Sequence, residues 1–253
     1  MASSNSIISD GSEGGSSNNY NLAQDPTELF DIYKAPPSES YYNSIITPDW
    51  GASYYPSPQP TGKVKERGLV HKDGDWHRSV HVWIVQRDTT NVNNVRVLLQ
   101  RRSPYKDTHP NQLDVSCAGH VNAGDDILET TIRELEEELG GKGTMMKQYS
   151  IEDLKNSRVF TVTSSIMGET AKHGKYLCQE YQDVFILWLR EYDSPMDTTM
   201  FAPLVEEEVS GFEIMDCNEL MKRLRHGDEE FVPRSTEYVN ALEEYLDTSN
   251  QCA

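Results

Sequence analysis

Between Asp126 and Leu139 the chain sets Leu128, Ile132, Leu135 and Leu139 at offsets of four, three and four residues, the repeat that stacks side chains on one face of an α-helix. On the same wheel Glu134, Glu137 and Glu138 point away from that stripe, so the segment has a packing face and a carboxylate face. Asp125 or Asp126 can cap its start, and Gly140-Gly141 can supply a left-handed turn at its end. Like charges one turn apart destabilise a helix by about 0.2–0.5 kcal/mol per pair, and Arg133, in reach of Glu129 or Glu137, cannot neutralise the set alone. A hard cation such as Mg²⁺ binds oxygen ligands of this type and can hold substrate phosphates as well. A merely solvated acidic surface would carry the same run of charge, so the glutamates take their meaning from the surrounding pattern.

That pattern alternates strand and helix. β-rich runs occupy 29–33, 80–85, 95–100, 113–117, 159–164, 183–189 and 211–215, with a polar turn at 88–91. Asp216 and Glu219 are spaced as a capping box for a helix running to about Arg225. A last helix follows Pro233, with Ser235 or Thr236 at its N-cap and Tyr238, Leu242, Tyr245 and Leu246 on one face. No second linker or internal repeat interrupts the series, which predicts one α/β domain over 29–247. A tail at 1–28 precedes it and a short tail at 248–253 follows. Up to about Gln24 the first tail is Ser, Asn and Gly, with too few apolar residues to offset the entropy of ordering, which predicts disorder. Within the domain, 35–60 is dense in Pro and Tyr and reads as an insertion loop, or as a docking surface built from Tyr41, Tyr42, Trp50, Tyr54 and Tyr55.

A formal net charge of −18 repels phosphate polymers and argues against a nucleic-acid partner, while leaving room for a small phosphate ligand bridged through a cation. Cys117, Cys178, Cys217 and Cys252 lack the close pairing of a zinc knuckle and read as reduced thiols. No run approaches the roughly 18 apolar residues that span a bilayer, and the first basic residue is Lys34, unlike a signal or transit peptide. The expectation is a cytoplasmic protein with no membrane partner; oligomeric state has no signature.

Gly119, five residues, Asp125, seven residues, Arg133-Glu134-Leu135, one residue, Glu137-Glu138, one residue, Gly140: this spacing strongly resembles the Nudix box. Asp125 stands where the family usually has Glu, and Gly141 where it has an apolar residue. The resemblance implies a Nudix α/β/α sandwich with a central mixed sheet. It also implies Mg²⁺, or Mn²⁺, held by Glu134, Glu137, Glu138 and the Gly119 carbonyl, with Arg133 orienting the glutamates. The activity it implies is hydrolysis of a diphosphate linkage in a small organic or nucleoside diphosphate.

The likeness extends through 62–68, His71, Trp76-His77-Arg78 and 116–120, and is similar to the branch that includes isopentenyl-diphosphate isomerase. That enzyme moves protons with a Cys and a Glu, where this chain has Ala118 and Gln182. Cys117 is one residue away, and a one-residue shift in a strand turns a side chain to the opposite face. His71, His77 and His120 match the isomerase's separate metal positions, but Gln182 leaves the acidic set incomplete, which favours histidines without a metal. Glu180 and Asp183 are each read as a supplementary metal ligand, as the base that activates water, or as plain strand-edge polarity. A catalytically idle binding module is the third reading, opposed by the intact ligand set. The loops expected at 105–112 and 165–181 carry no motif that names the substrate's organic group.

Overall fold

Val80, Val82 and Ile84 of strand β3 (Trp76–Arg87) pack into one buried cluster, and Trp83 and Val85 into another. Successive side chains of a strand point to opposite faces, so β3 has to be covered on both sides. Strand β8 (Gly174–Trp188) lies parallel to β3, from Trp76 opposite Gln179 to Val85 opposite Trp188, and divides Val184 and Ile186 from Phe185 and Leu187 in the same way. The computed structural model describes residues 25–36, 58–88, 94–140, 149–170, 174–189, 195–204 and 208–251. The expected tail up to residue 24, most of the insertion (37–57), the centre of the 88–91 turn, Gly141 and Cys252 lie outside the described residues.

The sheet is curled and mixed. β2 (Pro60–Glu66), β1 (Leu29–Tyr33), β3, β4 (Val95–Arg102) and β5 (Leu113–Asp114) follow one another across it. β6 (Cys117–His120) pairs antiparallel with β3, β7 (Arg158–Thr170) with β8, and β9 (Val209–Asp216) with β4. One face is covered by the last two helices through Leu220, Met221, Tyr238, Val239, Leu242 and Leu246. Leu135, Leu139, Leu154 and Phe201 cover the other. The fold is therefore an α/β/α sandwich around a mixed sheet, as expected. A helix the sequence did not announce, α1 (Arg67–Asp73), closes a small third core of Phe30, Ile32 and Val70 beside β1.

Several boundaries move for physical reasons. The expected strand at 113–117 divides into β5 and β6. The described parts of 165–181, expected as a loop, are the outer halves of β7 and β8, paired from Ser165 opposite Gln179 to Thr170 opposite Gly174. This hairpin runs past the core, so its strands lack the apolar alternation that marks a half-buried strand. Asp126, not Asp125, caps α2 (Ile127–Glu134) by accepting from Leu128 N, with Glu129 completing a capping box. α3 spans Ile151–Ser157 and α4 Cys217–Arg225, with Asp216 accepting from the N–H groups of Asn218 and Glu219. Ser235 receives the Tyr238 N–H at the start of α5 (Thr236–Gln251), which continues past the expected end at 247. No helix among the described residues is long and apolar enough to cross a membrane.

Candidate functional site

Helix α2 continues beyond Glu134 as a wider π-helical turn, Leu135–Leu139. Leu135 and Leu139 drop into the core, and π turns inside α-helices occur often at functional sites because they re-aim side chains. Glu138 and Glu134 are only 2% and 5% exposed, so the acidic face is not the solvated face its periodicity suggests. Glu137 keeps a side chain 44% exposed. At the end of the turn Gly140 is right-handed, φ −87°, rather than left-handed; a side chain there would stand 2.7 Å from the Glu136 carbonyl oxygen.

The Glu138 carboxylate accepts from Ala118 N at 3.0 Å and from Gln100 Nε2 at 3.2 Å. Glu134 pairs with Arg133 at 2.7 Å, and the same guanidinium reaches Glu137 at 3.5 Å and donates to the His120 carbonyl at 3.4 Å. A Cβ on Gly119 would fall 2.1 Å from the Glu134 carboxyl, so the glycine makes room for that carboxylate. Burial, and then the neighbouring Glu138, push the Glu134 carboxyl above the usual carboxylate range. Glu138 is raised as well by burial and Glu208, against the pull of Lys106 and the Ala118 N–H. Two buried carboxyls with one guanidinium, Arg133, beside them, made entirely of oxygen donors and set against a backbone with no Cβ, fit a hard divalent cation.

Ala118, Gly119, Arg133, Glu134 and Glu137 line a cleft of about 570 Å³. Its basic side carries Arg102, Lys106 and Arg234. Arg102 and Arg234 both pair with buried Asp114, and despite burial these guanidiniums hold its carboxyl down to about 2. Lys106 pairs with Glu208 at 3.1 Å. His81 and Gln182 line the cleft as well. The Tyr238 hydroxyl accepts from Trp83 Nε1 at 2.9 Å and meets His81 Nδ1 at 3.2 Å, leaving its own proton for that nitrogen. Burial, then the Arg234 charge, lower the His81 pKa to about 4, so the ring is neutral.

At the other end β3 and β8 bring His77 opposite Glu180 and Ser79 opposite Gln182. Glu180 Oε1 lies 3.1 Å from His120 Nε2, 3.1 Å from Cys178 Sγ and 3.6 Å from His77 Nε2. Its Oε2 accepts from Gln182 at 2.9 Å and from Ser79 at 3.2 Å. Although burial opposes it, the contacts with His120 and His77 hold this carboxyl well below the usual range. Burial also lowers His120 and raises the Cys178 thiol. His71, nominated with His77 and His120, completes the group: ligand atoms of the three histidines and Cys178 all lie within 4.8 Å of one another.

Asp183 has to be corrected. It alternates with Glu180 and Gln182, away from the cleft, and is 0% exposed. Its carboxylate is taken by Arg78 at 2.9 and 2.6 Å, Arg158 at 2.6 Å and Thr161 at 2.8 Å. With both oxygens committed to guanidiniums it is no base for water. The sequence reading missed His81, Arg102, Lys106, Arg234 and Cys178 as cleft residues. For two of them the signal was period two: His77, Ser79 and His81 share one strand face, as do Cys178, Glu180 and Gln182.

A family model described as "NUDIX domain" matches residues 75–235. Nudix hydrolase 3 of Arabidopsis thaliana is 37% identical over 177 residues, covering 70% of this chain and 20% of that protein, so the chain spans about a fifth of that relative's length. An uncharacterized Nudix hydrolase of Clostridium acetobutylicum is 32% identical over 160 residues, covering 63% of this chain and 66% of that protein. Among solved structures, a NUDIX hydrolase from Alicyclobacillus acidocaldarius covers 68% of this chain and 91% of its own, at 12% identity and a TM-score of 0.43.

Proposed function

The chain belongs to the Nudix family, and from that premise we propose that it is a Mg²⁺-dependent hydrolase cleaving a diphosphate linkage in a small organic or nucleoside diphosphate. The observation that carries this reading is the pair of buried carboxyls, Glu134 and Glu138, set against Gly119 on the π turn. Glu134, Glu137, Glu138 and the Gly119 carbonyl would hold Mg²⁺, and Mn²⁺ suits the same oxygens. When bound, the ion neutralises charge on the diphosphate and lowers the pKa of attacking water.

The chain's own residues do the rest. Arg133 fixes Glu134 and Glu137 in one arrangement through its two ion pairs. Arg102, Lys106 and Arg234, which line the same cleft, offer positive charge to the phosphates. Neutral His81, its Nδ1 turned to Tyr238, carries its proton on Nε2 and donates it to a substrate oxygen as a hydrogen bond. Glu137 accepts the water proton: of the Glu134, Glu137 and Glu138 carboxylates it is the one with solvent access, whereas the oxygens of Glu180 are taken by Ser79, Gln182, His120 and Cys178. Such a base contributes about 10²–10⁴-fold. The products are two phosphate-bearing fragments.

The test is a screen of nucleoside, sugar and prenyl diphosphates with Mg²⁺ or Mn²⁺, reading phosphate or monophosphate release. Turnover that requires the ion and collapses in Glu138→Gln is the expected result. No turnover of any class with either ion would overturn the proposal.

A further inference from the structure

We propose that His109 is a specificity-determining residue of the cleft, whose Nε2 accepts a hydrogen bond from a hydroxyl or amino group on the organic part of the diphosphate substrate. The inference rests on the hydrolase reading for its substrate, but not for the state of the ring.

His109 lies in the stretch 105–112, whose sequence names no ligand, and it lines the cleft with Arg102, Lys106, Thr108 and Arg234. Its backbone is left-handed, φ 52°, as is that of Asn111, φ 61°. Residues with a side chain seldom adopt that conformation; where they do, the surroundings over-determine it, often at ligand clamps. Here the last two residues of β4 supply the constraint. Arg102 Nε donates to the Thr108 and His109 carbonyls at 3.3 and 3.2 Å, and Arg101 donates to the Asn111 carbonyl at 2.8 Å. The loop thus holds an imidazole at the cleft wall in a fixed backbone setting.

Hydrogen bonds then decide which nitrogen carries the proton. The Glu229 carbonyl can only accept, so the Gln112 side chain turns its amide nitrogen to it, at 2.7 Å. The Gln112 amide oxygen is thereby left for His109 Nδ1, at 2.8 Å, and that nitrogen has to donate. Burial lowers the His109 pKa, against the Gln112 contact and with the help of the Arg102 charge, so the ring is neutral at pH 7. A neutral imidazole protonated on Nδ1 keeps a lone pair on Nε2, and no described residue donates to it. His81 is the reverse case: the chain that starts at the donor-only Trp83 indole leaves its proton on Nε2. The two histidines therefore offer the same cleft one donor and one acceptor.

The acceptor narrows the substrate. Ionised phosphate oxygens only accept, so the diphosphate cannot serve the His109 lone pair, and a hydrocarbon chain cannot either. A hydroxylated or amine-bearing group can. A site that hydrogen-bonds a substrate hydroxyl rejects the analogue lacking it, because the protein group is left unpaired.

The test uses the full chain in two arms. Nitrogen-15 NMR of the histidine-labelled protein at pH 7, without substrate, should show His109 protonated on Nδ1 and His81 on Nε2, each assigned by its loss in His109→Gln or His81→Gln. The second arm measures kcat/KM with Mg²⁺ for UDP-glucose, ADP-glucose and their monodeoxy analogues, against isopentenyl diphosphate. One deoxy analogue should lose about 10-fold relative to its parent. In His109→Leu that ratio should fall towards one, and His109→Gln, which keeps an acceptor, should restore most of it; a folding lesion lowers parent and analogue alike and does not move the ratio. Three results would overturn the inference and leave the hydrolase reading in place: a His109 ring protonated on Nε2, a ratio that survives in His109→Leu, or isopentenyl diphosphate hydrolysed faster than every sugar compound. No turnover of any diphosphate would sink both.

Discussion

The two ends of the cleft bury the same functional group and treat it in opposite ways. On the acidic turn Glu134 and Glu138 are pushed up, because burial removes water and each faces further carboxylates. At the histidine end Glu180 is largely enclosed, with a side chain 13% exposed, yet its carboxyl is held down by contacts with His120 and His77. Burial is common to both; what differs is the supply of donors around the oxygens. The acidic turn sets one guanidinium, Arg133, against three carboxylates, and on the proposed reading a hard cation would complete it. The histidine end already satisfies its carboxylate from its own side chains, Ser79, Gln182, His120 and Cys178.

The sharpest break of this comparison is Glu138→Gln. The amide keeps the shape and can still accept from Ala118 N, but removes a buried charge. Mg²⁺-dependent hydrolysis should fall on the order of 10²–10³-fold, and Glu137→Gln should act alike. The melting temperature of the metal-free protein should rise with Glu138→Gln, since a repelled carboxyl is gone. Wild-type rates in both variants would sink the acidic-turn reading.

His81, also in the cleft lining, tests burial without a compensating opposite charge. Its pKa is lowered from 6.5 to about 4, so the folded state binds fewer protons than the unfolded state between those values. Stability is therefore lost as pH falls from 6.5 to 4 and regained as it rises, by about 3 kcal/mol at about 1.4 kcal/mol per pKa unit. Urea unfolding at pH 7 and at pH 4 should show that loss, and His81→Gln should flatten it by a similar amount. An equal slope in the variant would show that the ring is not held neutral by its site.

A smaller change probes the fit of Glu134. Gly119→Ala places a methyl 2.1 Å from that carboxyl and must displace it. The apparent Mg²⁺ affinity, read from the metal dependence of the rate, should drop about 10–100-fold, the scale for disturbing a ligand's support. An unchanged metal dependence would mean that Glu134 is not a ligand.

The contrast also explains what was legible in the sequence. The acidic turn lies in one segment, Gly119 to Gly140, so its spacing could be read directly, although the π turn and the burial of Glu134 and Glu138 could not, because helical periodicity assumes a uniform 3.6-residue repeat. The histidine cluster draws on α1, β3, β6 and β8, and Cys178 joins it only through the parallel register of β8 on β3. Long-range pairing of that kind has no local signature. Asp183 was misplaced for a related reason: polarity on a strand does not say which face it occupies until the register is known.

The smallest expected effect is none at all: the protein should not interconvert isopentenyl and dimethylallyl diphosphates. Allylic proton transfer needs an acid and a base flanking the carbon skeleton, and the two cleft residues at the matched positions are Ala118 and Gln182. Cys117 cannot stand in. It is 0% exposed, packed in the core with Leu135 and Leu139 on the face of β6 away from the cleft, and burial and then the Glu138 charge raise its thiol. Glu180 faces the cleft, but the cluster of His120, Cys178, Gln182 and Ser79 holds its oxygens. Losing two groups, each worth about 10²–10⁴-fold, leaves isomerisation near background. Proton exchange followed by NMR in deuterated water measures this directly. Deuterium entering the substrate at an enzyme-like rate would break the division between the two ends of the cleft, because Glu180 would then have to act as a mobile base rather than as a carboxylate tied to its donors.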